Sequence, residues 1–178
     1  IRRAIDELID DQATATSPIE IVVGVPKDLA QQIAEDYAAF FIQTRLNDEL
    51  QVKYGSYLPV ERKFDFDVAN NARYSKHRIF VGFESSNKHV AAIRANLLER
   101  KYRGIPVDTG RIEGYESPDK RIKIILVTGD QPVNVMAAGF ALSEYDHTLN
   151  NGQPANVNCS IANVTGQYPD VTIRVEKP

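Results

Sequence analysis

The residues best placed to do chemistry lie where predicted strands end and predicted helices begin. Gly24, Gly82 and Gly129 each close a short apolar run and precede a helical pattern. Ligands of open α/β sheets bind at such turns, where a helix N-terminus attracts anions. No GxGxxG and no GxxxxGK(S/T) motif occurs at these turns, so tight turns alone would explain the glycines. The candidate ligand-binding residues are Gly24, Lys27, Ser85, Asn87, Gly129 and Asp130.

Two groups of acidic residues could bind a metal or act on a sugar, and neither fits its pattern. The first resembles the start of a calcium loop but lacks the midpoint glycine, and Lys76 occupies the position of the closing glutamate. We therefore interpret it as a solvated strand face followed by a turn. The second could supply the paired carboxylates of a glycoside hydrolase, but it lies in a glycine-rich connection without a supporting motif. The first group is Asp65, Asp67, Asn70 and Asn71, and the second group is Asp108, Glu113 and Glu116.

The remaining reactive side chains predict no catalytic residue, no metal and no cofactor. The three histidines share no metal-binding spacing. Cys159 is the only cysteine, which excludes an internal disulfide, and it lies far from any predicted helix N-terminus that would activate it. A basic cluster could contact a phosphate or an acidic sugar, although surface charge explains it equally well. The histidines are His77, His89 and His147, and the basic cluster is Arg73, Lys76, His77 and Arg78.

The composition argues against two classes of protein. A net charge of −3 leaves no excess of Lys and Arg to neutralise phosphates, which argues against a general nucleic-acid binder. No apolar stretch approaches the ~18 to 20 residues of a membrane span, so no membrane insertion is expected. A hydrophobic content of 43% over 178 residues is enough for the core of one domain.

Two asparagines in the C-terminal tail fit the acceptor rule for N-glycosylation. Asn158 precedes Cys-Ser and Asn163 precedes Val-Thr. Used acceptors would indicate an extracellular protein, although chance matches are common in a segment this rich in asparagine.

The segment Ile122 to Leu149 predicts the centre of the fold. Its first residues form an apolar run closed by Gly129, which is typical of a strand covered on both faces. Asp130 is the expected N-cap of the following helix and Pro132 suits its first position. One face of that helix is predicted at Val133, Met136, Ala137, Phe140 and Ala141.

The same strand, glycine and helix arrangement is predicted twice earlier. Ile19 to Gly24 and Arg78 to Gly82 are the strands. Pro26 and Asp28 start the helix after the first strand, and its helical period continues to about Leu46. Its apolar positions are Leu29, Ile33, Tyr37, Phe40 and Phe41. The helix after the second strand has caps at Ser85, Ser86 and Asn87 and apolar positions at Val90, Ile93, Leu97 and Leu98.

The segments around these units predict further elements. Arg2 to Gln12 predicts a short amphipathic helix, which the linker Ala13 to Pro18 follows. Lys63 to Val68 alternates strictly, which indicates a half-exposed strand towards a sheet edge. Ile105 to Ser117 predicts one or two strands, Asn150 to Pro154 a turn, and Val171 to Val175 a last strand.

The predicted fold is α/β. It has a mainly parallel sheet of three to five strands with helices on both faces, a short N-terminal helix and a C-terminal β segment. The predicted divisions are 1–16 for the N-terminal helix and linker, 17–150 for the α/β domain, and 151–178 for the β segment, which could start a following module.

Gly110 to Leu149 resembles the α/β modules of archaeal S-layer and S-layer-like surface proteins. The matching residues are Gly110, Ile112, Leu126, Val127, Gly129, Ala137, Ala138, Leu142 and Tyr145. An earlier turn is similar to theirs at Val81, Gly82 and Asn87, although Phe83 replaces a second glycine. The segment is also similar to the non-catalytic α/β domain that precedes the barrel in some glycoside hydrolases, through Glu113, Gly114 and Tyr115. Both resemblances imply an extracellular scaffold without chemistry of its own.

We therefore expect a non-catalytic structural module of a secreted or cell-surface protein. Its expected partners are other modules of the same chain or homo-oligomeric neighbours, with glycans as a further option. The alternatives are a carbohydrate-binding or accessory domain of a sugar-acting enzyme, and a small-molecule enzyme of Rossmann-like fold that uses the same three turns.

Overall fold

The computed structural model describes residues 2–14, 18–55, 59–98, 105, 107–117, 121–145, 155–163 and 170–176. The helices among them are α1 (Arg2–Thr14), α2 (Leu29–Tyr54), α3 (Lys88–Leu98) and α4 (Pro132–Ser143). The strands are β1 (Glu20–Val23), β2 (Glu61–Phe64), β3 (Arg78–Val81), β4 (Thr109–Glu116), β5 (Lys123–Gly129), β6 (Ala155–Asn163) and β7 (Asp170–Glu176).

The described strands form one sheet in the order β2-β1-β3-β5-β4-β6-β7. β2, β1, β3 and β5 run parallel, whereas β4 is antiparallel to β5 and β6, and β7 is antiparallel to β6. The predicted α/β class is confirmed. The sheet exceeds the predicted three to five strands because the predicted C-terminal β segment adds β6 and β7 at the free edge of β4.

Helices pack on both faces of the sheet, as predicted. α1, α2 and α4 cover one face, where alternate residues of β1, β3 and β5 join their core. α3 covers the other face, where Val90 and Ile93 pack against Phe80 and Leu126. Coverage of both faces explains why these strands are continuous apolar runs in the sequence.

The N-terminal helix α1 belongs to the core, and its predicted amphipathic character is confirmed. Ile5, Leu8 and Ile9 are buried among residues of α2 and the sheet. α1 continues to Thr14 and so includes the start of the predicted linker. Residues 15–17 of that linker and the turn predicted at 150–154 lie outside the described residues. No helix in the described ranges is long and apolar enough to cross a bilayer.

The buried face of α2 differs from the apolar face that the sequence predicts. Of the predicted apolar positions, Leu29 is 67% exposed and Phe40 is 53% exposed. The buried residues are instead Ala34, Glu35, Ala38, Ala39, Ile42, Leu46 and Leu50. The physical reason is the contact with α4: Gly139 lies so close to Ala38 that an added Cβ atom would overlap it. Only small residues permit this approach, so the large ones face outward.

The predicted strand Lys63 to Val68 is shorter than expected. β2 ends at Phe64 and a 3₁₀ helix follows at Asp65–Asp67. The chain turns there because the Asp67 carboxylate accepts a hydrogen bond from the Phe64 N–H at 3.2 Å. β2 pairs only with β1 in the described sheet, which confirms the predicted edge position. Asp65 is buried and Phe64 is exposed, so the prediction that the acidic group forms a solvated face is wrong at Asp65.

The N-cap prediction was correct for α2 and wrong for α4. The Asp28 carboxylate accepts from the Ala30 N–H at 3.0 Å, as expected for an N-cap. The N-cap residue of α4 is Gln131, and the Asn134 side chain accepts from its N–H at 3.0 Å. Asp130 does not cap α4, because its carboxylate accepts a hydrogen bond from the Asp108 N–H, next to the start of β4.

Candidate functional site

The order of the parallel strands creates a topological switch point between β1 and β3. The chain leaves β1 outward to β2 and then returns past β1 to β3, so the connections diverge at this position. α2 and α3, which follow β1 and β3, cover opposite faces of the sheet. Gly24 and Gly82 follow the two strands directly. This is the usual place of a ligand crevice in an open α/β sheet.

The crevice is closed by direct contacts between the two turns. The Val25 N–H donates to the Ser86 carbonyl at 3.1 Å. A Cβ atom added to Gly24 would overlap that same carbonyl, so the backbones are as close as a glycine allows. The fully buried Asn87 side chain donates to the Val22 and Val81 carbonyls, both at 3.1 Å. The Asn87 side chain therefore connects the C-terminal ends of β1 and β3.

The carboxyl group of Glu35 occupies the position where an anionic ligand would bind. It projects from α2 and accepts from the Gly24 N–H at 2.8 Å, from the Phe83 N–H at 3.4 Å and from the Ser86 hydroxyl. A Cβ atom on Gly82 would overlap this carboxyl group, and Gly82 has φ +134°, a conformation that L residues rarely adopt. The groups that bind a phosphate in related architectures here bind a side chain of the same chain.

Burial raises the pKa of the Glu35 carboxyl to about 7. Hydrogen bonds from Ser86, Gly24 and Phe83 lower the pKa and so limit the shift, whereas the negative charge of Asp65 adds to it. Such a group could act as an acid or a base near neutral pH. It is only 1% exposed, however, so no solute reaches it in this conformation.

A second buried polar group lies under α3 around His89. The Arg73 Nε–H donates to His89 Nδ1 at 3.1 Å, which places the proton of the neutral ring on Nε2. Nε2 then donates to the Asp65 and Val68 carbonyls at 2.9 and 3.0 Å. Burial lowers the pKa of His89, although the hydrogen bond to Asp65 opposes the shift. The ring is fully buried and acts as a structural link.

The predicted ligand residues do not converge on one site. Gly24 and Asn87 are neighbours at the closed switch point, whereas Lys27 and Ser85 are exposed in the turns above it. Gly129 and Asp130 lie elsewhere, on the far side of β3: Gly129 is the last residue of β5, and Asp130 follows it directly. The Asp130 N–H donates to the Thr109 carbonyl at 3.2 Å and thus serves the pairing of β5 with β4.

Lys76 and Arg78 of the basic cluster and Glu113 of the second acidic group are engaged in internal contacts. Lys76 and Arg78 both pair with Glu20, at 2.8 and 2.7 Å. The buried Glu113 carboxylate pairs with Arg94 at 2.9 Å and also with Arg111. These pairs leave little free charge for a phosphate or for sugar chemistry.

The calcium-loop resemblance is not reflected in the geometry. Asp65 accepts from the Lys88 N–H at the start of α3 at 3.0 Å, and Asp67 is bonded to Phe64. In the described part of the chain, no group of three or more His, Cys, Asp or Glu side chains could hold a metal ion.

The glycosylation candidates Asn158 and Asn163 both lie in β6. The backbone of Asn158 pairs with Thr109 of β4 and with Arg174 of β7, so it lies inside the sheet. Asn163 pairs with Asp170, next to an irregularity in the β6–β7 register.

An apolar surface is the main feature that the sequence reading missed. Leu29, Ile33, Tyr37 and Phe40 point away from the core, and we call these four residues the outer face of α2. Two further rings connect this face to α4: Phe41 lies 6.1 Å from Tyr37 and 5.6 Å from Phe140, between ring centroids. The signal was present in the sequence, since α2 carries apolar residues around most of its circumference.

Glu35 was also missed as a site residue. Its spacing places it beside Ala34, Ala38 and Ile42 on the buried face, where an acidic residue is unusual. An acid among buried alanines would have identified it, had the buried face been assigned correctly.

Comparison with known proteins gives no family for this chain: no family model matches it, and no curated protein is significantly similar to it.

Proposed function

We propose that this protein is a non-catalytic structural module of a secreted or cell-surface protein, related in design to the α/β modules of archaeal S-layer proteins. It acts by packing against neighbouring modules or subunits. The observation that carries this proposal is the outer face of α2, where Leu29 and Phe40 are more than half exposed. Contiguous apolar patches with aromatic residues are typical of protein interfaces.

The closed switch point supports a role without catalysis. The crevice between β1 and β3 is filled by Glu35 and bridged by Asn87, and both side chains find their partners inside the protein. A catalytic group must contact its substrate, and neither of these side chains is accessible. The geometry therefore favours rigidity at the position where an enzyme of this architecture would be open.

The surface location rests on the resemblance of Gly110 to Leu149 and on the two glycosylation candidates. Antibodies raised against the purified chain provide the test, applied to intact and to permeabilised cells of the organism that produces it. We expect labelling of intact cells and its loss after brief treatment of those cells with protease. Labelling that requires permeabilisation would refute the surface location.

One observation favours a second function, that of a small-molecule enzyme. Glu35 has a raised pKa and lies beside the Ser86 hydroxyl at the switch point, a combination that active sites use. This function requires an open conformation in which the carboxyl group meets solvent. Coupling of Glu35 to a water-soluble carbodiimide and an amine, mapped by mass spectrometry in the folded protein, tests for that conformation. Modification at the rate of exposed acids would favour the enzyme, and protection would favour the structural module.

A further inference from the structure

The outer face of α2 is a continuous stripe on the first three turns of the helix. Leu29, Ile33, Tyr37 and Phe40 follow one another at steps of four, four and three residues, which keeps them on one side. The stripe extends about 17 Å along the helix axis. Beyond it the same side of α2 becomes polar at Thr44. The apolar surface thus has a defined length and two ends.

The exposed apolar area of the stripe is similar to the apolar area that one partner contributes to a standard interface. Its exposed fractions amount to about two fully exposed large side chains, on the order of 300–500 Å². A standard interface covers about 800 Å² per partner, of which roughly 450 Å² is apolar. The stripe alone therefore supplies the apolar centre of one half of such an interface.

The charges beside the stripe favour an identical surface over a lipid or a charged partner. Gln32 and Thr44 flank it without charge, and Asp36 is neutralised by an ion pair with Arg62 at 2.9 Å. A helix that binds membranes usually carries Lys and Arg beside its apolar face, and residues 29–44 of α2 contain neither. Two copies can meet here without opposing like charges.

We propose that the outer face of α2 binds the same face of a second copy of this chain, with the two helices antiparallel. This inference rests on the proposed function, because it names the subunit against which the module packs. The antiparallel orientation places the aliphatic Leu29 and Ile33 of one copy against the aromatic Phe40 and Tyr37 of the other. It also aligns the helix dipoles favourably. The twofold axis passes between residues 34 and 35 of the two helices, so Leu29 opposes Phe40 on both sides.

The first test is sedimentation equilibrium of the 178-residue chain up to about 1 mM, the weak end of specific association. We expect a monomer–dimer equilibrium that Phe40→Asp weakens by about thirtyfold or more, the effect of losing an interface hot spot. Phe66→Asp is the matched control, since Phe66 is a phenylalanine that is 64% exposed and lies outside the stripe. Phe66→Asp should leave the equilibrium unchanged. A wild-type chain that stays monomeric, or equal effects of the two variants, would overturn the proposal.

The second test fixes the orientation by charge complementation. Phe40→Asp and Leu29→Lys should each be monomeric, and an equimolar mixture should form a heterodimer. In that heterodimer Asp at 40 meets Lys at 29, while the other Leu29–Phe40 contact remains native. Recovery in a mixture of Phe40→Asp with Phe40→Lys instead would show a parallel contact and refute the antiparallel one. Thermal unfolding of each variant checks that these exposed positions leave the fold intact.

The outcomes separate this inference from the proposed function. Labelling of intact cells together with a monomeric chain would support the surface module and refute the dimer. A dimer together with labelling that requires permeabilised cells would support the α2 contact and refute the surface location.

Discussion

Glu35 makes the stability of the protein depend on pH in a direction opposite to that of most acids. Burial raises its pKa to about 7 in the folded state, against 4.5 for a free glutamate. Between these values the folded state keeps a proton that the unfolded state has lost. The free energy of unfolding therefore falls as the pH rises through this window. Below pH 4.5 the full stability is present, and above about 7 the loss is complete.

The size of this loss follows from the two pKa values. One pKa unit corresponds to about 1.4 kcal/mol, so the difference between about 7 and 4.5 sets an upper bound on the loss of about 3.4 kcal/mol. Glu35→Gln removes the titration and keeps an oxygen that can accept from the Gly24 N–H. The variant should match the wild type near pH 4.5 and exceed its stability by up to about 3.4 kcal/mol at pH 8.

Urea denaturation of the wild type and Glu35→Gln, measured from pH 4.5 to 8, gives the difference curve. His89 has the opposite effect, because a lowered pKa makes stability rise with pH towards 6.5. Both proteins contain His89, so its contribution cancels in the difference. Ser86→Ala is the companion variant: without the hydroxyl donor the pKa of Glu35 rises further, and the decline should extend to higher pH. A flat difference curve, or one in which the wild type gains relative to the variant, would show that Glu35 is not held as described.

Three further predictions concern packing, each measured by chemical denaturation. Gly139→Val forces its side chain into Ala38 where α4 crosses α2 and should cost about 1–3 kcal/mol. Asn87→Ala removes the N-cap of α3 and two hydrogen bonds to strand carbonyls. The substitution should cost about 2–4 kcal/mol of stability, whereas loss of the cap alone would cost about 1 kcal/mol. Leu8→Ala should cost about 2–5 kcal/mol because Leu8 is fully buried in the core. The 86% exposed Val52 provides the control, since Val52→Ala should change stability by less than about 0.5 kcal/mol.

The sequence predicts the units whose signals are local. Gly24 and Gly82 each follow a strand and Gly129 ends one, as expected because a glycine-closed apolar run followed by a cap is a pattern of neighbouring residues. The caps at Asp28 and Asn87 were recognised for the same reason. These features require no knowledge of distant contacts.

The features that failed depend on contacts distant in sequence. The antiparallel insertion of β4 between β5 and β6 is set by pairing that no local pattern records. Asp130 was assigned to a helix cap, but Asp108 competes for its carboxylate from the start of β4. Glu35 is a site residue only through the turns after β1 and β3, which surround its carboxyl group and are distant from it in sequence. Each failure is a competition between a local partner and a distant one.

The orientation of α2 connects the packing of the core to the proposed function. To bury Leu29 and Phe40, the helix would have to rotate, and the close contact of Ala38 with Gly139 would be lost. Rotation would also withdraw Glu35 from the N–H groups of Gly24 and Phe83, and the Gly24 N–H would lose the carboxylate as its acceptor. The small residues and the buried acid therefore fix one orientation of α2. The exposure of its large apolar side chains is a consequence of that orientation. Burying these side chains against a partner removes them from water, and this supplies free energy for the association.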